Sequence, residues 1–326
     1  MWSPRAAHTG GSGPARLSAT GVVEACVEVT LEAEPGSLVE HSDILLIAVP
    51  VNAHRAVMDG LLPHLRNGLT VLVSSMASLS ALYLFESARA RGCDVTVASF
   101  GTTLFTARRA GPMQVRVMTR RAELGVSSLP CARKASVLDL CCTLFGEGFR
   151  VEANALATTL SNINPVAHGP LALFNWTRIE RAEAWPQYHY MTPRVAAVIL
   201  RLEAERLALA QAFGVVVRGI EQHFAQSFGT QARELSEIAI ELHAKRGGPP
   251  GPVDVDTRFL AEDVPFGLVF LTALGKVVAL PMPATATVVA SASLIVGSDF
   301  TACNDLIEPL ALQYESPAGL RARVSA

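Results

Sequence analysis

One segment of the sequence combines a side chain that exchanges protons with neutral side chains that form hydrogen bonds. Residues 162–170 read Asn-Ile-Asn-Pro-Val-Ala-His-Gly-Pro and interrupt an otherwise apolar helical pattern. Histidine gains and loses a proton near neutral pH, and proline kinks a helix and frees backbone carbonyl groups. The segment therefore predicts that Asn162, Asn164 and His168 face a cavity. A kinked core helix with a buried histidine is the alternative that these residues alone leave open.

A second segment, residues 257–268, places charged residues directly before an apolar helix. Arg258 carries a planar guanidinium that suits the two oxygens of a carboxylate. Asp263, two positions before Pro265, is an ordinary candidate for a helix N-cap. Taken alone, the segment also fits a surface arginine and a structural cap.

Composition narrows the class of ligand. The chain has 326 residues, with 27 basic and 29 acidic side chains and a formal net charge of -2, so we expect small molecules rather than nucleic acid as partners. No apolar run approaches the roughly 18 residues that a membrane-spanning helix requires. Six scattered cysteines without Cys-x-x-Cys spacing predict thiols in a reducing cytoplasm.

The first half of the chain alternates β-branched runs with helix-length segments, which is typical of a parallel sheet covered by helices. Residues 43–50 form an apolar run ended by Pro50, which predicts a central strand buried on both faces. The remaining predicted strands are residues 22–31, 70–74, 94–98 and 115–118, and the helices are residues 52–65, 79–91 and 135–145. We therefore predict an incomplete Rossmann-type α/β domain over residues 1–150.

The second half has helical periodicity. Apolar residues recur three and four apart in residues 195–213, 219–228, 233–244 and 285–296, whereas the glycine- and proline-rich residues 246–252 predict a loop. This pattern predicts an all-α substrate domain over residues 151–326. Its apolar helices are compatible with a homodimer.

The two polar segments together resemble the octopine/nopaline (opine) dehydrogenase family. The family's Asn-x-Asn-Pro-x-x-His stretch is matched from Asn162 to His168, and its Arg followed five residues later by Asp is matched by Arg258 and Asp263. Shorter similarities are residues 47–50 with His54, 102–108, 191–193 and 204–206. The resemblance implies an amino-terminal Rossmann domain followed by a helical domain of the 6-phosphogluconate dehydrogenase type.

The resemblance also implies an activity. The family condenses the amino group of an amino acid with a 2-oxo acid and reduces the imine with a hydride from NADH or NADPH. By this resemblance His168 is the acid/base, Asp263 orients it, and Arg258 binds a substrate carboxylate. Further substrate contacts are expected from Asn162, Asn164, Thr192 and Arg108. Cofactor contacts are expected from Val49, Pro50, His54, Thr102, Thr103, Ser3 and Arg5.

The amino terminus departs from the family pattern. A Rossmann domain begins with a strand, a Gly-x-Gly-x-x-Gly turn and a helix that receives the pyrophosphate. Residues 10–13 are Gly-Gly-Ser-Gly but follow no strand, and residues 2–5 resemble the end of the family's second strand. We therefore expect the first strand, turn and helix to be missing, and the position of Ser3 and Arg5 favours NADP over NAD.

Two other functions fit the sequence. One is a non-catalytic remnant that binds an amino acid or a partner through the helical half. The other is a Rossmann-type oxidoreductase that reduces a simple oxo acid to a hydroxy acid. Measuring cofactor oxidation with and without the amine distinguishes each of these two functions from that of an opine dehydrogenase.

Overall fold

A computed structural model describes residues 1–2, 12–246 and 249–326 of the chain. These residues divide into two compact units. The first unit contains residues 1–76, 80–155 and 325–326, and the second contains residues 77–79 and 156–324. The main division between the units falls between residues 155 and 156, close to the boundary that the sequence predicts near residue 150.

The strands of the described residues all belong to the first unit. They are β1 (Gly13–Gly21), β2 (Ala25–Leu31), β3 (Ile44–Ile47), β4 (Thr70–Val73), β5 (Thr96–Phe100), β6 (Phe105–Gly111), β7 (Gln114–Arg120), β8 (Leu124–Leu129) and β9 (Phe149–Val151). Within the described ranges they form a five-stranded sheet of order β3-β4-β5-β8-β9 and a four-stranded sheet of order β2-β1-β7-β6.

The five-stranded sheet is the Rossmann-type part. Strands β3, β4 and β5 are parallel, as predicted, while β8 pairs antiparallel to β5 and β9 runs parallel to β8. The prediction that residues 43–50 form a central strand is wrong, because β3 pairs with β4 alone in the described part of the chain and Leu46 is 50% exposed. The apolar run reflects the burial of Leu45 and Ile47 on one face, which does not specify how many strands flank it.

The four-stranded sheet differs from the predicted parallel arrangement. The predicted strands at residues 22–31 and 115–118 correspond to β2, which begins at residue 25, and to part of β7. However, β1 and β2 make an antiparallel pair, β6 and β7 make another, and β1 joins β7 in parallel. Most side chains of these strands are exposed or half-buried. Strand periodicity does not distinguish a ribbon of this kind from a strand of the main sheet.

The helices cover the five-stranded sheet and build the second unit. Those of the first unit are α1 (Pro35–Glu40), α2 (His54–Leu61), α3 (Ser80–Ala90) and α4 (Lys134–Phe145). Those of the second unit are α5 (Ala155–Leu160), α6 (Asn164–Leu173), α7 (Trp176–Glu180), α8 (Pro193–Ala212), α9 (Ile220–Phe228), α10 (Leu235–Arg246), α11 (Arg258–Ala261), α12 (Phe270–Val277), α13 (Pro283–Val296) and α14 (Pro317–Val324). A π-helix, Val264–Val269, joins α11 to α12. The all-α prediction for this half is confirmed, and none of the described helices is long and apolar enough to cross a membrane.

A buried ion pair ties three segments of the helical unit together. Glu203 and Arg206 lie one turn apart on α8 with side chains 4% and 0% exposed, and the guanidinium binds both carboxylate oxygens at 2.7 and 2.8 Å. Arg206 also donates to the carbonyl oxygens of Leu160, at the end of α5, and Arg218. Glu203 accepts from the backbone N–H of Ile220, at the start of α9. Losing one partner of such a pair costs about 3–5 kcal/mol, because a charge is left buried without its counterion.

A buried histidine holds the loop that follows β3. His54 is 0% exposed; its Nε2 lies 3.1 Å from the carbonyl oxygen of Val49 and its Nδ1 lies 2.9 Å from Ser80 Oγ. A carbonyl only accepts, so Nε2 carries the proton and Nδ1 accepts from the serine hydroxyl. Burial lowers the pKa of His54 from 6.5 to about 4, against a smaller raising effect of the Val49 carbonyl.

This lowered pKa predicts an acid-dependent loss of stability. Above pH 6.5 the ring is neutral in the folded and the unfolded chain, so it adds no pH dependence. Between pH 6.5 and about 4 the unfolded chain takes up the proton and the folded chain does not, which lowers the free energy of unfolding by about 3 kcal/mol in total. Denaturant unfolding of the wild type and of His54→Gln at several pH values measures this difference.

We expect His54→Gln to be less stable at pH 7 but to lose less stability on acidification. His41→Gln, which changes an exposed histidine, is the matched control and should keep the wild-type pH dependence. Equal slopes for the wild type and His54→Gln would contradict the assignment of the acid effect to this ring.

Candidate active site

Helix α6 carries the predicted acid/base. Asn164 is its first residue, and Pro165 occupies the first turn, where the missing N–H of proline costs nothing. The side-chain oxygen of Asn162 accepts from the backbone N–H of Asn164 at 3.0 Å and so satisfies a donor of that first turn. Asn164 and His168 lie four residues apart and share one face of the helix.

The two polar segments meet in a hydrogen bond between His168 and Asp263. His168 Nδ1 lies 2.8 Å from Asp263 Oδ2, with side chains 17% and 7% exposed. Asp263 precedes the π-helix but makes no capping hydrogen bond with its side chain, so the structure favours the histidine partner over the ordinary cap. A carboxylate accepts the Nδ1 proton and thereby presents Nε2 as the nitrogen that exchanges protons. Nε2 has no hydrogen-bond partner in the described part of the chain.

An aromatic ring fixes the plane of the imidazole. Phe259 stacks on His168 with ring centroids 3.8 Å apart and an angle of 1° between the planes. Phe259 lies on α11, which begins where Thr257 Oγ1 accepts from the Phe259 N–H at 3.3 Å. Phe259 and Asp263 are four residues apart, so one helical turn presents both the stacking ring and the carboxylate to His168.

Two glycines let α6 and the π-helix approach closely. A Cβ atom on Gly267 would lie 2.3 Å from Pro165 Cγ, and one on Gly169 would lie 2.9 Å from Leu268 Cδ1. Both distances are shorter than non-bonded carbon atoms tolerate. The absence of side chains at these positions therefore sets the separation across which His168 reaches Asp263.

Two polar side chains near this pair are available to a ligand. The side chain of Arg258 is 60% exposed, and its closest charged partner is Glu262, with Nη2 and Oε1 3.5 Å apart. The half-buried side chain of Asn164 makes no hydrogen bond within the described residues. Arg258 lies on α11 with Phe259, and Asn164 shares the helix face of His168.

The predicted cofactor residues lie in loops after the parallel strands. Val49 and Pro50 follow β3, and Thr102 and Thr103 follow β5, at the carboxyl edge where open α/β sheets bind nucleotides. The side chain of Arg121 holds the second loop, donating to Thr102 Oγ1 at 3.2 Å and to the carbonyl oxygen of Thr103 at 2.9 Å. These loops fit one side of a dinucleotide; no glycine-rich turn between a strand and a helix occurs in residues 12–246 or 249–326.

Among the described residues, the remaining predicted site residues form no hydrogen bond or ion pair with one another. Arg108 is exposed on β6, directly opposite Arg116 of β7, and Thr192 is exposed immediately before α8. His54 is enclosed, with both ring nitrogens bonded within the protein, so it positions Val49 rather than meeting a ligand. Ser3 and Arg5, as well as glycines 10 and 11, lie outside the described residues.

Sequence reasoning missed Phe259, Gly267 and Arg121. Phe259 had a usable signal, because its four-residue spacing from Asp263 places both on one side of a helical turn. The role of Gly267 depends on Pro165, 102 residues earlier in the sequence. Arg121, directly after β7, binds the loop between β5 and β6. Neither contact leaves a local pattern.

Comparisons with known proteins find similar sequences. Residues 151–296 match the family described as NAD/NADP octopine/nopaline dehydrogenase, alpha-helical domain. The opine dehydrogenase of Arthrobacter sp. (strain 1C) is 29% identical over 296 residues, which cover 90% of this chain and 82% of that protein.

Solved structures show the same fold. Octopine dehydrogenase with NADH and L-arginine aligns with a TM-score of 0.76 at 16% identity, covering 97% of this chain and 87% of that one. A ketopantoate reductase from Ralstonia eutropha JMP134 aligns with a TM-score of 0.60 at 17% identity, covering 90% and 88%. The family match over residues 151–296 and the sequence relative agree: the chain is similar to the octopine/nopaline (opine) dehydrogenases, which are NAD(P)-dependent oxidoreductases.

Proposed function

We propose that the protein catalyses the reductive condensation of an amino acid with a 2-oxo acid. The observation that carries this proposal is the 2.8 Å hydrogen bond between His168 Nδ1 and Asp263 Oδ2, in a domain that matches the family model. The opine dehydrogenase relative and the octopine dehydrogenase structure with NADH and L-arginine support the choice of reaction.

His168 moves the protons of the condensation. With Nδ1–H held by Asp263, the neutral Nε2 removes a proton from the substrate ammonium group and makes the amine nucleophilic. After the amine adds to the oxo carbon and a proton moves from the new nitrogen to the oxygen, Nε2 returns its proton to the resulting hydroxyl, which leaves as water and forms the protonated imine. The carboxylate of Asp263 stabilises the imidazolium between these two steps.

Arg258 and Asn164 orient the substrates. Both condensing molecules carry a carboxylate, and the exposed guanidinium of Arg258 can bind one of them through two hydrogen bonds. Asn164 supplies a neutral amide on the helix face of His168. Asn162, whose oxygen is engaged with the Asn164 N–H, contributes by starting the helix, and Thr192 and Arg108 remain predicted substrate contacts.

The nicotinamide cofactor supplies the hydride that reduces the imine when it is bound. Val49, Pro50, Thr102 and Thr103 would hold it at the carboxyl edge of β3, β4 and β5. The family includes NAD and NADP enzymes; we keep the preference for NADP as a proposal that rests on Ser3 and Arg5. Surface thiols at Cys26 and Cys303 support action in the reducing cytoplasm, and the homodimer stays a prediction.

A second candidate is the reduction of an oxo acid alone. The fold similarity to a ketopantoate reductase favours it, and it needs the same acid/base and carboxylate contacts. Following NADPH or NADH oxidation with a 2-oxo acid, in the presence and absence of amino acids, tests both functions. Turnover that requires the amino acid supports the condensation, and equal turnover without it supports simple reduction.

Replacing His168 by asparagine should lower kcat by roughly 100-fold or more, because the general acid/base is lost. Steady-state kinetics with saturating substrates measure this change, and the melting temperature checks the fold. His243→Asn, which changes a histidine on α10, should retain wild-type kcat. An unaltered kcat in the His168 variant would show that this ring is structural.

Asp263→Asn should lower kcat by about 10- to 100-fold, because the amide cannot stabilise the imidazolium as the carboxylate does. Its side chain makes no capping bond, so the loss should exceed any effect on helix stability. Comparing kcat with the denaturation midpoint separates the two effects. A variant with wild-type kcat would rule out a catalytic role for this carboxylate.

Arg258→Lys should raise the KM for the oxo acid and change kcat less, because an ammonium group does not reproduce the paired hydrogen bonds of a guanidinium. Thermal stability should barely change, since this side chain is largely exposed. Initial rates over a range of oxo acid concentrations measure the effect. Normal KM values for both substrates would place Arg258 outside the substrate site.

A further inference from the structure

The π-helix that follows Asp263 is held by two side chains from distant parts of the chain. Ser78 is 0% exposed, and its Oγ donates to the carbonyl oxygen of Phe266 at 2.7 Å. Asn304 is 7% exposed, and its Nδ2 donates to the carbonyl oxygen of Pro265 and to Ser78 Oγ, each at 2.9 Å. Two successive carbonyl groups of the π-helix thus accept hydrogen bonds from buried side chains.

Ser78 adopts a backbone conformation that serine seldom takes. Its φ is 50°, in the left-handed region, where any side chain is strained relative to glycine. Ser78 lies between β4 and α3, two residues before α3 begins, and residues 77–79 belong to the helical unit. A hydroxyl retained in a strained conformation and bonded at both its donor and acceptor sides indicates a requirement for the hydroxyl itself.

Asn304 is equally constrained. Its side-chain oxygen accepts from the backbone N–H of Leu306 at 3.0 Å, which orients the amide so that the Nδ2 group faces Ser78 and Pro265. The π-helical conformation is rare and occurs mainly as short segments at functional sites. Here the segment begins immediately after Asp263, so its position determines where the carboxylate lies relative to His168.

We propose that Ser78 and Asn304 are positioning residues that hold the π-helix so that Asp263 meets His168 Nδ1. This inference rests on the proposed acid/base function of His168 and adds two residues that contact neither substrate nor cofactor. Losing either anchor lets the Pro265–Phe266 backbone shift, which lengthens the Nδ1–Oδ2 contact and removes the preference for the Nδ1–H tautomer.

The tautomer of His168 provides a test that does not depend on turnover. In protein labelled with ¹⁵N-histidine, the ring nitrogen shifts and their couplings distinguish the Nδ1–H from the Nε2–H form, and the His168→Asn spectrum assigns the signals. We expect the wild type to hold the Nδ1–H form and Asn304→Ala and Ser78→Gly to show a mixture. With substrates, kcat should fall by about 10- to 100-fold with little change in KM.

Ser78→Gly is the most informative variant, because glycine relieves the left-handed strain while it removes the hydroxyl. If the hydroxyl only contributed stability, Ser78→Gly would retain kcat better than Ser78→Ala; we expect both to lose kcat equally. Thr285→Val, which removes a buried hydroxyl bonded to Glu205, is the control that should lose stability but keep kcat and the Nδ1–H form.

Two results would overturn the proposal: a wild-type His168 tautomer in both Asn304→Ala and Ser78→Gly, or wild-type kcat in folded Ser78→Gly. If the wild type has no activity with any amino acid and oxo acid, the proposed function fails, and the tautomer measurement still decides whether these residues position Asp263.

Discussion

The hydrogen bond between His168 and Asp263 is the interaction on which the proposed chemistry of the helical unit depends. A carboxylate with 7% of its side chain exposed is costly to bury unless a donor satisfies it, and the imidazole provides that donor. The bond also leaves the opposite ring nitrogen to meet a substrate. The stacked ring of Phe259 and the close approaches at Gly267 and Gly169 are best understood as conditions for this single contact.

Several segments around this contact adopt conformations of higher local energy and are held in a fixed geometry. An interrupted helix, a serine in a left-handed conformation and a proline-containing α6 all depart from the conformations that their residues prefer alone. Each departure is compensated by packing or by a buried hydrogen bond nearby. Such local conflicts are expected where geometry matters more than ease of folding.

Much of this site was predictable from sequence because its residues lie in two compact motifs. His168 and Asp263 are 95 residues apart, and it was the resemblance rather than periodicity that joined them. The helical half followed from its 3.6-residue pattern. The order of the strands could not be predicted, because apolar runs such as residues 44–47 indicate burial but neither the direction nor the number of neighbouring strands. Ser78 and Asn304 could not be found, since their roles arise only from tertiary contacts.

The Glu203–Arg206 pair has a consequence for how this sequence can vary. The guanidinium bonds the carbonyl groups of Leu160 and Arg218, and the carboxylate bonds the N–H of Ile220, so exchanging either side chain alone leaves a buried charge and at least one backbone group without its partner. Lysine lacks the planar fork that reaches these carbonyls. Substitutions at the two positions are therefore coupled. A tolerated substitution at one position requires a change at the other and in the loop that they hold.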